Sequence, residues 1–170
     1  NNEIKVLKGE KVEEKNIEAQ PLLDVETAID DNYVKEEELK IEIHKKINGI
    51  DSYEKLHQIK QELEDRFGNI SETLIIYMYE EWFEKLAKTL GIVTVRQSDR
   101  EIEIELPKDI SSKIEGDKFF ITAYSICPRF RLKYLHEQVI IALTLLNLKE
   151  HFLYYLVPLL EEVIKEIKEK

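Results

Sequence analysis

Apolar residues recur through the first half of the chain at helical spacing. Leu39, Ile43, Ile47 and Ile50 step by four, four and three and share one face. Gly49 marks the end of that helix, with Ile50 packing back just beyond it. A second stripe follows: Leu56, Ile59, Leu63 and Phe67, closed by Gly68. Asp51 is its expected N-cap, with Glu54 three positions on as the capping-box partner. Ser71 is the expected cap of a third helix, whose stripe is Ile75, Met78, Trp82, Leu86 and Leu90 and whose terminator is Gly91.

The period then falls to two. Residues 92–96 and 102–106 alternate apolar with polar and predict a hairpin turning at 97–100. A second hairpin is predicted from 129–135 and 139–145, turning at 136–138. Between the hairpins, 108–124 is ambiguous. Asp109 suits a cap for a helix carrying Ile110 and Ile114, but Gly116 and the run Phe119, Phe120, Ile121 fit no single period. The last segment, about 149–168, is a long helix carrying Phe152, Leu156, Leu160, Val163 and Ile167, with a kink expected at Pro158. Ahead of all these, 21–34 reads as extended chain ending in a turn at 30–32. Residues 1–20 are polar and read as a linker with one short strand at 4–7. The predicted class is α+β: a helical half of three helices, a small antiparallel sheet and a long C-terminal helix.

A chain of 170 residues fits one domain with a real core. With only 5 glycines and 4 prolines, an all-β or loop-rich protein is disfavoured. One cysteine excludes a disulfide framework and any multi-cysteine metal site. The net charge of −10 disfavours generic duplex DNA binding. The most apolar runs, 139–146 and 152–160, fall short of the ~18–20 residues of a membrane span, and the leading residues lack an apolar signal core. The cytoplasm is the expected compartment. The chain does not begin with Met, as a piece of a longer protein would not.

Candidate chemistry is sparse. The glycines Gly9, Gly49, Gly68, Gly91 and Gly116 are isolated, so no phosphate-cradling loop is expected, and no cofactor in this chain. No two of His44, His57, His136 and His151 stand three or four apart, as a helical metal pair requires. Cys127 reads as a buried thiol without an activating base. The runs 36–38 and 161–162 read as solvated helix faces, and Trp82 as core. Arg129, Arg131 and Lys133 share one strand face and read as solvated charges on an edge strand. No catalytic residue and no metal site emerges. A protein contact is the default role.

One stretch carries more. Glu62, Leu63, Glu64, Asp65, Arg66, Phe67 and Gly68 spell a sequence that resembles the E-L-x-D-R-F-G motif of the bacterial transcription-repair coupling factor family, in its C-terminal domain. Residues 28–34 resemble that family's A-Y-I-P-x-x-Y-I segment, 39–47 its R-L-x-x-Y-K-R-I helix, and 90–92 its L-G-I. The physical reading of the motif is simple. Glu62 and Asp65 share an exposed face, Leu63 and Phe67 point inward, Arg66 braces the helix end or pairs with a neighbour, and Gly68 turns the chain.

The resemblance implies a regulatory domain over 21–170 without catalysis of its own. The whole protein would be a superfamily 2 helicase-like, ATP-dependent translocase on double-stranded DNA, with ATP and Mg in a motor elsewhere. It displaces RNA polymerase stalled at lesions and recruits nucleotide excision repair through UvrA. The C-terminal domain packs against a UvrB-like N-terminal module and hides the UvrA-binding surface. The resemblance gives Glu62 and Asp65 the interdomain contact. Two other classes stay open: a freestanding acidic adaptor without a motor, and a hydrolase using two carboxylates of strongly raised pKa.

Overall fold

A computed structural model describes residues 21–169. The linker expected over 1–20, with its strand at 4–7, lies outside the described residues, as does Lys170. Chain order is α1 (Glu37–Asn48), α2 (Tyr53–Phe67), α3 (Glu72–Leu90), β1 (Thr94–Gln97), β2 (Glu101–Glu105), α4 (Lys108–Ser111), α5 (Gly116–Ile126), β3 (Phe130–Leu135), β4 (Gln138–Thr144) and α6 (Leu153–Lys168). This is the α+β architecture read from the sequence.

The helical half follows from its apolar stripes. Ile43 and Ile47 of α1, Leu56, Ile59 and Leu63 of α2, and Met78, Trp82, Phe83 and Leu90 of α3 are all buried. Ser71 caps α3 as expected, its hydroxyl oxygen accepting from the Leu74 N–H. On α2 the cap is Ser52 rather than Asp51: Ser52 is extended (φ −160°, ψ 165°) and its hydroxyl accepts from the Lys55 N–H at 3.1 Å. Gly91 ends α3 in the left-handed conformation (φ 74°), and the Ile92 N–H returns to the Ala87 carbonyl. Ile92 therefore belongs to the helix terminator, and β1 begins two residues later than its alternation suggested.

The sheet has the order β1-β2-β4-β3 and is antiparallel throughout. Ile102 pairs with Leu143 and Ile104 with Ile141, and Phe130 and Leu132 continue those rows on β3. These side chains form the core face. The opposite face carries charge. Arg131 reaches Glu101 and Lys133 reaches Glu103, each at 2.7 Å, while Arg96 pairs with Glu105 and Glu103. The two β3 cations are thus engaged across the sheet, not solvated alone. Ala142 and Ile140, on that face, are buried among them. The β3–β4 turn places His136 and Glu137 at φ 54° and 65°, the geometry of a tight hairpin.

The ambiguous stretch resolves into two helices. Besides the single turn of α4, α5 runs from Gly116 to Ile126. It buries only Phe119 and Ala123, leaving Phe120 and Ile121 exposed, so its apolar residues overrun one face and blur the period. The final helix starts at Leu153, later than the residue near 149 expected. Asn147 has φ 62°, and just ahead of the N-cap residue Phe152 the ring Nδ1 of His151 accepts from the Leu153 N–H at 3.2 Å. α6 continues through Pro158. Cys127 and Trp82 are buried, as read. Among the described residues no helix is long and apolar enough to cross a membrane.

Candidate interdomain contact surface

The motif forms the last turns of α2 and the exit from it. Leu63 is fully buried. Glu62 and Arg66, one turn apart on α2, meet Lys46 and Glu42, one turn apart on α1. The Lys46 Nζ lies 2.6 Å from Glu62 Oε2, and the Arg66 guanidinium lies 2.5 Å from Glu42 Oε2. The two reciprocal pairs stitch the helical hairpin along its rim. Arg66 holds the Glu42 carboxyl below its ordinary range through that hydrogen bond. Asp65 is exposed and enters no ion pair among the described residues.

Phe67 is half-buried. Its ring lies 4.8 Å below the Arg66 guanidinium and meets Tyr33 edge-on at 6.0 Å. The Tyr33 hydroxyl donates toward the Gly68 carbonyl at 3.0 Å and the Leu63 carbonyl at 3.2 Å. It thereby ties the N-terminal strap to the last turn of α2 and to the residue that follows it. Burial, with the nearby Glu64 charge, pushes the Tyr33 phenol above its ordinary value. Gly68 has φ 94° and ψ −176°, a region essentially restricted to glycine. A shallow groove of about 340 Å³ runs beside Phe67, lined in part by Asp31, Tyr33, Glu36 and Leu39.

The two predicted contact residues therefore differ. Glu62 turns toward α1, with about a third of its side chain exposed, and is already held by Lys46. Of the two, Asp65 faces outward and has no ion pair among the described residues. Sequence reasoning missed Tyr33, Glu42 and Lys46. A signal existed for the last two: acid and base stand four apart on both helices, Glu42 with Lys46 and Glu62 with Arg66.

A second feature was also missed. Glu80 on α3 is only 3% exposed. It hydrogen-bonds to Glu84, one turn along, and burial pushes it up to about 8, with the charges of Glu84 and Glu81 adding to the effect. Glu84 Oε2 accepts the Leu22 backbone N–H at 2.7 Å, tying the extended N-terminal strap to α3. Of the two strongly raised carboxyls that a hydrolase would need, Glu80 supplies one, and it is enclosed within the fold.

Fold and motif together define a small α+β domain whose helical hairpin is stitched at the motif. Comparison with known proteins carries this to a family. The TRCF domain family model matches residues 23–116, more than half of the chain, and the chain belongs to that family. It is 26% identical over 121 residues to a transcription-repair-coupling factor of Staphylococcus haemolyticus, a match covering 70% of this chain and 10% of that protein. It is 38% identical over 84 residues to one of Borreliella burgdorferi, covering 49% of this chain and 7% of that protein. The chain thus spans about a tenth of the length of these relatives. A crystal structure of the C-terminal domain of a transcription-repair coupling factor shares its fold, with a TM-score of 0.75 and 21% identity over 89% of this chain and 94% of that one.

Proposed function

We propose that residues 21–170 act as the C-terminal regulatory domain of a transcription-repair coupling factor, a cytoplasmic DNA-repair protein. On this reading the domain itself catalyses nothing. The whole protein is an ATP-dependent translocase on double-stranded DNA, with ATP and Mg in its motor, which displaces stalled RNA polymerase and recruits excision repair through UvrA. The domain acts by contact: it docks on a UvrB-like module of the same protein and masks the UvrA-binding surface.

The observation that carries this is Asp65 at the end of α2, exposed and without an ion pair among the described residues, in a motif that resembles one of the family's. A cation on the facing module finds Asp65 free, and finds Glu62 in competition with Lys46. Masking a surface about 99% of the time takes only about 2.7 kcal/mol, half of a full reversal of populations. Exposed pairs contribute about 0–1 kcal/mol each, so a few of them suffice for the latch.

The test is Asp65→Lys in the full-length factor. Replacing one attraction by a repulsion, about 1–2 kcal/mol, should raise UvrA affinity roughly five- to thirtyfold. Glu62→Lys is the poorer probe, because it also sets a lysine against Lys46 and loosens the hairpin. A folded Asp65→Lys protein with unchanged UvrA affinity would remove Asp65 from the latch.

A further inference from the structure

At the other end of α2 from the motif, aromatic rings gather on the surface. Tyr53 is 57% exposed and stacks on His57, with centroids 6.1 Å apart and planes 14° apart. Its neighbour across the helical interface is Tyr79 of α3, which meets Tyr154 of α6 edge-on at 4.9 Å. Both inner tyrosines are half-buried, with burial first and nearby negative charge second holding their phenols protonated above the ordinary value.

The charges around these rings are carboxylates from several elements. Glu150 and Glu161 act on Tyr79, while Glu72 and Glu150 act on Tyr154. Glu162 and Glu54, the latter one residue from Tyr53, act on Glu161 against the opposing charge of Lys165. Glu54, Glu72, Glu150 and Glu161 are all exposed, and none forms an ion pair among the described residues. The carboxylates of the outer sheet face differ, since Glu101, Glu103 and Glu105 each hold a cation. The half-buried tyrosines thus lie among four exposed carboxylates that no ion pair engages among the described residues.

We propose that the tyrosine surface centred on Tyr79 and Tyr154 docks an arginine-bearing basic segment of a protein partner. Tyrosine supplies contact area at low entropic cost and is enriched at interfaces. A guanidinium lies flat on a phenol ring while its N–H fork reaches a neighbouring carboxylate, so both halves of this surface are used by one side chain. A lysine ammonium uses the charge but lacks the planar stacking. Nucleic acid is excluded by the same carboxylates, which repel phosphate. This surface is separate from the motif: Tyr53 and His57 start α2, whereas Glu62 and Asp65 lie near its end.

The test uses the 170-residue chain and two twelve-residue probes, an Arg-Gly repeat and its Lys-Gly counterpart, followed by NMR shift mapping and calorimetry. The expected result is tighter binding of the arginine probe, with shifts at Tyr53, Tyr79 and Tyr154. Removing three charges at the site (Glu54→Gln, Glu72→Gln, Glu150→Gln) should weaken it roughly tenfold, and Tyr53→Ala several-fold. An equal neutralisation elsewhere (Glu36→Gln, Glu37→Gln, Glu38→Gln) should change it less than about twofold. All substituted residues are exposed, and matching melting temperatures check folding. Equal losses in both triple variants would mean attraction to net charge alone and would overturn the proposal, as would equal binding of the two probes. Asp65→Lys should leave the probe affinity unchanged, so failure here and failure of the latch are told apart.

Discussion

Substituting Glu80 by Gln should stabilise the chain at neutral pH, although it removes a charged residue from a helix. The reason is linkage. An ordinary glutamate titrates near 4.5, and the buried Glu80 at about 8. A folded value raised above the unfolded one gives stability that is complete below the unfolded value and declines as pH rises toward the folded one. Folding at pH 7 must place a proton on Glu80 across about 2.5 pH units, at ~1.4 kcal/mol each, a cost of about 3 kcal/mol. Glutamine has the same shape, needs no proton, and still donates an N–H toward Glu84. The Glu80→Gln chain should therefore match the parent near pH 4.5 and exceed it by about 3 kcal/mol at pH 7. For a domain of this size that is a rise of roughly 6–12 °C in Tm. Urea denaturation from pH 4.5 to 8.5, read by circular dichroism, measures it. Other groups contribute to both curves equally, so the difference between them isolates Glu80. Parallel curves across this range would refute the reasoning, because they would mean that Glu80 is ionised in the folded chain.

Gly68→Ala should cost about 1–3 kcal/mol through backbone strain alone, since a Cβ there meets no atom within 4 Å; unchanged urea stability would show that the turn relaxes freely. Phe67→Ala should cost about 1–2 kcal/mol, less than a fully buried phenylalanine would, because the ring is only half-buried; a Tm drop as large as that of a core variant such as Phe83→Ala would contradict this. Tyr33→Phe keeps the ring contact and removes the hydroxyl, so a loss of about 1 kcal/mol is expected, together with faster amide exchange at Gly68, whose N–H returns to Glu64.

The elements that read clearly from sequence are those whose burial is one-sided. The stripe of α2 and the Glu-Ile-Glu-Ile-Glu alternation of β2 each present one face to the core, and the observed burial follows that alternation. α5 escaped because Phe120 and Ile121 lie outside the core yet are as apolar as Phe119 within it. Asp51 and Ser52 are equally good caps by type, and only the extended backbone at Ser52 decides between them. At the motif, sequence pointed to the right helix end but not to its partners. Whether Glu62 faces solvent or Lys46 depends on how α1 lies beside α2, which no local pattern encodes. Glu80 was hidden for a similar reason: within Glu80-Glu81-Trp82-Phe83-Glu84 the acids look solvated, and Leu22, whose N–H binds Glu84, is remote in sequence.

The crossed ion pairs on the outer sheet face have an electrical consequence. Residues 92–148, which contain the whole sheet, carry 8 acidic and 8 basic side chains, whereas residues 21–91 carry 17 acidic and 9 basic. Nearly all of the net charge thus sits in the helical half, and the molecule is a dipole with a neutral end. A positively charged body approaching through solution feels a torque on this domain before any contact forms, turning the helices toward it and the sheet away. Such pre-orientation speeds encounter more than it strengthens the final complex. It operates only within the reach of unscreened fields, about 8 Å at physiological salt. Docking onto a cationic surface should therefore slow steeply as salt is added, even where the equilibrium affinity changes little.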